Sequence, residues 1–159
     1  MPNMGGFFQR VNDMLGCDGK VKDCIIMRAD LSHFKHINDT YGFDVGDKVI
    51  SMFYEMFQCA AGAFTEEMVL ARTHGDEFIL FTFGDQNKAL DIARRLIGEL
   101  ETLDLEKAGV PSKFLCYVGI VLAKTSRKKW RDVLDYSHEA LSQARKKGAN
   151  SYEVLIFPE

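Results

Sequence analysis

The sequence predicts an α/β (α+β) fold on the split βαβ plan: a central, mostly antiparallel sheet of five strands flanked by helices. Three observations carry that prediction. Apolar runs of strand length alternate with segments whose apolar residues recur at helical spacing, in the order β-α-α-β-β-α-β-α-β after a first helix. Two of the strand-like runs are joined by a short polar turn and form a hairpin. No repeat, low-complexity segment or linker divides the 159 residues, 47% hydrophobic and 27% charged, so residues 1–159 read as one domain with a full core.

Taken in order, Phe7, Phe8, Val11 and Leu15 recur at helical spacing and Gly16 stops that helix. Cys24 to Asp30 reads as a buried strand. Phe34 to Tyr41 is a short helix ended by Gly42. Gly46 to Ala60 carries the helical stripe Val49, Ile50, Phe53, Met56 and Phe57. Met68 to Thr73 and Phe78 to Phe83 are the hairpin strands. Asn87 to Leu103 is a helix with Leu90, Ile92, Ala93, Leu96, Ile97 and Leu100 on its apolar side. Phe114 to Leu122 is a strand, Arg131 to Lys147 a helix stopped by Gly148, and Tyr152 to Phe157 a final strand. The Phe and Met stripes are core.

Composition narrows the function classes. The net charge of −3 favours neither nucleic acid nor an anionic membrane. Ser126-Arg127-Lys128-Lys129-Trp130-Arg131 is basic with one aromatic, but reads as a solvated loop entering a helix. The four cysteines form no C-x-x-C and no zinc spacing with histidine; Cys24 and Cys116 sit in apolar runs as small buried hydrophobes. Reduced thiols and a cytoplasmic location are expected. The longest apolar stretch, Phe114 to Ala123, is about half the length that spans a bilayer. There is no signal-peptide pattern, so no membrane contact is expected of this domain.

The hairpin turn carries the chemistry. Asp76 and Glu77 follow Gly75, and two carboxylates at one tip are costly to hold together without a positive partner. In a split βαβ sheet the first strand lies antiparallel to the strand leaving the hairpin, so Asp30, at the end of the first strand, should meet Asp76 and Glu77. Three acids at strand ends suggest a Mg²⁺–nucleotide site. Read alone, the Asp-Glu pair is equally an ordinary polar turn. Asn38 and Asp47 alone read as helix-end and capping residues, Lys35 as a solvated helix residue, and His33, His36 and His138 as surface or cap residues.

The order of four motifs separates these readings. Asp30 to Gly42 resembles D-x-D-x-F-K-x-I-N-D-x-Y-G, Asp44-Val45-Gly46-Asp47 continues it, Arg72 to Phe78 resembles R-x-G-G-D-E-F, and Ala144 to Asn150 resembles A-K-x-x-G-R-N. With Met1-Pro2-Asn3 as the opening leader, the chain resembles the GGDEF domain, the diguanylate cyclase module of bacterial second-messenger signalling, over nearly its whole length. The resemblance implies condensation of two GTP into cyclic di-GMP by a head-to-tail homodimer, each 3′-hydroxyl attacking the other nucleotide's α-phosphate. It implies Mg²⁺ or Mn²⁺, two per active site, held by Asp30, Asp76, Glu77 and the backbone carbonyl of Leu31, with Glu77 as a metal ligand or as the group activating the 3′-hydroxyl. Asn38 and Asp47 would read guanine, Lys35 and Arg145 the β- and γ-phosphates, and Phe34 and Gly75 complete the substrate contacts. Hard oxygen ligands suit Mg²⁺, and an amide plus a carboxylate suit guanine's O6, N1–H and N2–H. An N-terminal sensor domain outside this chain is the usual driver.

The chain departs from the family pattern at several positions. His74 replaces the first glycine, placing an imidazole that either crowds a phosphate or points to water; Gly75 keeps the second. Ser32 replaces the second acid of D-x-D, Arg145 a lysine, and Ala149 the arginine of G-R-N, with Lys146 and Lys147 nearby but at another helix phase. Tyr117 and Ser142 stand where serine and tyrosine are usual. The R-x-x-D product-inhibition motif is replaced by Thr65-Glu66-Glu67-Met68, so tight cyclic di-GMP binding is not expected there. Two functions compete: a diguanylate cyclase, favoured by the intact acid trio, and a degenerate module that holds GTP or a partner domain without catalysis. A purely structural dimerisation domain is the weaker third.

Overall fold

The structure, a computed structural model, describes residues 1–110 and 115–158. The elements are α1 (Met4–Leu15), β1 (Lys22–Leu31), α2 (Phe34–Tyr41), α3 (Phe43–Gly62), β2 (Met68–His74), β3 (Glu77–Phe83), α4 (Gln86–Thr102), a 3₁₀ turn (Leu105–Ala108), β4 (Cys116–Thr125), α5 (Trp130–Lys147) and β5 (Ser151–Ile156). All five strands join one sheet in the order β2-β3-β1-β4-β5. The central β1 is antiparallel to both β3 and β4, β2 is antiparallel to β3, and β4 and β5 run parallel across the α5 crossover.

Most expected elements stand within two residues of their sequence bounds. Helix α3 departs by three residues, starting at Phe43 rather than Gly46. Gly42 takes φ +90° and ends α2 while opening α3, so one residue makes the corner. Strand β4 runs on to Thr125 instead of ending at Leu122; the expected start, Phe114, lies outside the described residues. The 3₁₀ turn at Leu105–Ala108 is not anticipated from the sequence.

The alternation of β1 assembles two cores. Ile25, Met27, Ala29 and Leu31 face α3 and α4, meeting Val49, Ile50, Phe53 and Phe57 and then Ile92 and Leu96. Cys24 and Ile26 face α1 and α5, with Phe7, Val11, Trp130 and Val133. On this second face the apolar row stops at Ile26. The next two inward positions are Arg28 and Asp30, both buried. Glu77, paired with Asp30 in register, begins the β3 row that continues through Ile79 and Phe81 in the same core. One end of an otherwise apolar sheet face is therefore charged.

The basic stretch is an exposed turn at residues 127–129 entering α5, as expected, and only Trp130 departs from that reading. Its side chain is fully buried, with ring centroids 6.0, 5.3 and 6.2 Å from Phe7, Phe8 and Phe81, and its Nε1 donates to Asn12 Oδ1 at 2.8 Å. It locks α5 onto α1, each such aromatic pair contributing about 0.5–1.5 kcal/mol beyond its burial. No helix of the described residues is long and apolar enough to cross a membrane.

Candidate functional site

The hairpin tip is braced from its own strand. Gly75 adopts φ +48°, a left-handed conformation that suits glycine in the turn. Arg72 Nε donates to the Gly75 carbonyl at 2.7 Å, and Arg72 N donates to the Pro2 carbonyl at 3.1 Å, so the leader residues hold the edge of β2. The register slips between Arg72 and His74, leaving Thr73 in a bulge. The bulge aims the Thr73 hydroxyl at Glu77 Oε2, to which it donates at 2.5 Å.

Glu77 is 5% exposed and has a guanidinium of its own. Arg28 Nη1 donates to Glu77 Oε2 at 2.8 Å, and Arg28 Nε donates to Ser137 Oγ on α5 at 2.9 Å; Ser137 in turn donates to the Leu134 carbonyl. Burial alone would raise the Glu77 carboxyl. The Thr73 hydroxyl and Arg28 together outweigh it and hold the group below the usual glutamate range. Sequence reasoning missed Arg28. The available sign was an arginine inside the run Ile25 to Ala29, since a buried charge requires a partner.

Asp30 lies opposite Glu77 as the fold predicts, and Leu31 N donates to the Asp76 carbonyl at 3.3 Å. The structure thus brings Asp30, Leu31, Asp76 and Glu77 to one corner. Arg145, expected at phosphates, pairs through Nη2 with Asp30 Oδ2. Asp30 Oδ1 is buried without a hydrogen-bond partner. Burial pushes the Asp30 carboxyl up, the Arg145 hydrogen bond and charge offsetting part of the rise. Asp76 is likewise pushed up by burial, in part offset by its own backbone amide and by Arg145.

Among the described residues no group of three or more His, Cys, Asp or Glu side chains is arranged to hold a metal ion. Arg28 and Thr73 both engage Glu77 Oε2. Two hard carboxylates, Asp30 and Asp76, remain beside the Leu31 backbone. The unpartnered Asp30 Oδ1 and the Asp76 carboxylate are hard oxygen donors, whose chemistry fits Mg²⁺ or Mn²⁺ sharing its coordination with phosphate and water.

The expected base contacts Asn38 and Asp47, with Phe34 and Lys35, lie on the α2–α3 corner, which follows directly from the acidic end of β1. Phe34 and Asn38 are half-buried, Lys35 and Asp47 exposed. No side-chain hydrogen bond or ion pair of the described residues links Lys35, Asn38 or Asp47 to the acids. A cavity of about 410 Å³ opens beside Asp47, lined also by Lys48, Ser51, Met52, Glu55 and Lys107.

The His74 side chain is 76% exposed, with Nε2 3.6 Å from Glu77 Oε2. Ser32 is buried and donates through Oγ to the Leu115 carbonyl at 3.0 Å, a structural tie. Lys147 Nζ is spent on Glu153 at 2.6 Å and so does not replace the arginine absent at Ala149. His33, His36 and His138 are exposed. Nothing in the structure explains Tyr117 or Ser142.

A family model described as "Diguanylate cyclase, GGDEF domain" matches residues 1–151. The probable diguanylate cyclase DgcT of Escherichia coli is 28% identical over 96% of this chain and 33% of its own length. The cyclic di-GMP phosphodiesterase NbdA of Pseudomonas aeruginosa is 28% identical over 91% of this chain and 18% of its own. The chain thus spans about a third or less of these relatives. The crystal structure of the GGDEF domain of YfiN (TpbB) from Pseudomonas aeruginosa superposes with a TM-score of 0.80 at 22% identity, covering 99% of this chain and 98% of that one. That likeness carries the fold.

Proposed function

The chain belongs to the GGDEF family of diguanylate cyclase domains, and from that premise we propose that it binds GTP and condenses two molecules into cyclic di-GMP when two copies meet head to tail. The observation that carries the proposal is the meeting of Asp30, Asp76 and Glu77 at one corner, with Asp30 Oδ1 lacking a partner.

Asp30, Asp76 and the Leu31 carbonyl are the groups that would hold Mg²⁺ or Mn²⁺. Bound there, the cation would draw charge from the α-phosphate and favour the 3′-alkoxide. The chain's own residues supply the rest. Arg28, Thr73 and His74 all approach Glu77 Oε2, which leaves Oε1 to accept a hydrogen bond from the attacking 3′-hydroxyl. The low Glu77 pKa keeps that acceptor ionised at neutral pH. Arg145 exchanges Asp30 for the β- and γ-phosphates as nucleotide arrives, a planar guanidinium being well matched to either anion. Each 3′-oxygen bonds to the other nucleotide's α-phosphorus and pyrophosphate leaves. A sensor domain elsewhere in a longer protein would set how often two copies meet.

A second reading is favoured by one observation: the chain's own arginines already neutralise Glu77 and Asp30. A domain in that state could bind GTP or a partner without turnover. The test is incubation with GTP and Mg²⁺ or Mn²⁺ across a wide protein range, with Asp76→Ala as control. Cyclic di-GMP rising more than linearly with protein, and absent from the control, is expected. No product, with GTP still raising the melting temperature, would leave the binding module.

A further inference from the structure

Gly46 lies in the first turns of α3, immediately before Asp47, and is buried. A Cβ placed on it would stand 1.8 Å from Asn38 Oδ1, 3.0 Å from Asn38 Cγ and 3.4 Å from Phe34 Cζ. The amide of Asn38 therefore occupies the space that any other residue at position 46 would fill. The backbone gives no separate reason for glycine there: Gly46 is helical, its amide donates to the Gly42 carbonyl at 3.1 Å, and it is not one of the positive-φ glycines. The need for glycine comes from the Asn38 side chain.

We propose that Gly46 is a positioning residue for base selectivity: its missing Cβ is the notch in which the Asn38 amide lies, against the residue that precedes Asp47, so that Asn38 and Asp47 can face one purine edge. This deepens the reading in which Asn38 and Asp47 hold guanine, and rests on it. The chemistry is a matter of direction. Guanine presents the O6 acceptor next to the N1–H and N2–H donors, whereas adenine presents a donor next to an acceptor. An amide and a carboxylate distinguish the two only when the amide is held in one orientation. The residue that the Cβ would strike is the end of a flexible side chain, so alanine is accommodated by rotating Asn38 while α3 persists. Alanine also suits a helix interior better than glycine.

The experiment measures binding of a non-hydrolysable GTP analogue and its ITP and ATP counterparts, by calorimetry in Mg²⁺, to the unaltered chain, Gly46→Ala, Asn38→Ala and the double variant. The expected result is that Gly46→Ala and Asn38→Ala each lose about tenfold in affinity for the GTP analogue, the worth of one hydrogen bond. Affinity for the ATP analogue should be unchanged, and the double variant no weaker than either single one. Gly46→Ala should melt no lower than the unaltered chain. The inference is overturned if Gly46→Ala keeps the original GTP-to-ATP ratio, if the two losses multiply in the double variant, or if Gly46→Ala melts well below the unaltered chain, which would make the glycine a packing requirement. An unaltered chain that does not distinguish the three analogues would sink the guanine reading itself, and the inference with it.

Discussion

Asp30 and Glu77 share one register position, yet their surroundings move them in opposite directions. Glu77 has Arg28 and Thr73 as donors; Asp30 keeps one buried oxygen with none. Arg28→Met would strand the Glu77 charge and should cost about 3–5 kcal/mol in urea denaturation, most of it recovered when Glu77→Leu is added. Linkage fixes the sign for Glu77. Its folded pKa lies below the ordinary 4.5, so its stabilisation is complete above 4.5 and is lost as pH falls through the lower folded value. The destabilisation caused by Glu77→Gln should therefore be largest at neutral pH and shrink below 4.5; a difference constant from pH 7 to 3 would contradict the pairing. Asp30 and Asp76 have raised values, so their charged forms oppose stability at neutral pH and are relieved by acid. At this scale the acids were legible in the sequence, because carboxylates beside a glycine turn stand out from apolar strands. Their counter-charges were not. Arg145 lies 115 residues from Asp30 and Arg28 49 from Glu77, and only strand register and the α5 crossover bring them together.

Between elements, close approach decides what can change. A Cβ on Gly119 of β4 would stand 2.2 Å from the Leu141 amide nitrogen of α5, a backbone atom that cannot swing aside. Gly119→Ala should thus destabilise by about 1–3 kcal/mol, as overpacking does, and lower the melting temperature. Asn150, in the turn between α5 and β5, holds the start of β4: at φ +57° its N donates to the Cys116 carbonyl at 2.8 Å, and its Oδ1 accepts from Cys116 N at 3.0 Å. The asparagine of the closing motif is therefore a staple at the start of β4, opposite Leu31 in register. Element order and the β1–β3 pairing were readable from apolar periodicity and from the split βαβ plan. The start of α3 was not, because its opening residue Phe43 is 76% exposed and adds nothing to the apolar stripe. The corner is made by the backbone of Gly42, which leaves no periodic trace.

The molecule as a whole covers both faces of its sheet, and that governs its thiols. Burial pushes Cys24 and Cys116 up to about 12, whereas Cys17 and Cys59 are exposed. A thiol reagent should label Cys17 and Cys59 in the native protein and all four cysteines after unfolding. The surface at Thr65 to Met68 carries exposed Glu66 and Glu67, so calorimetry should find no tight cyclic di-GMP site there. The pairing of Glu77 with Arg28 and of Asp30 with Arg145 reaches further than the corner it occupies. Arginine cannot be chelated. A chain purified in EDTA should therefore still fold and unfold cooperatively without added divalent ions; a chain that stays unfolded until they are supplied would contradict the pairing. Folding then waits on no outside ion: the domain reaches its shape on charges it carries within its own sequence.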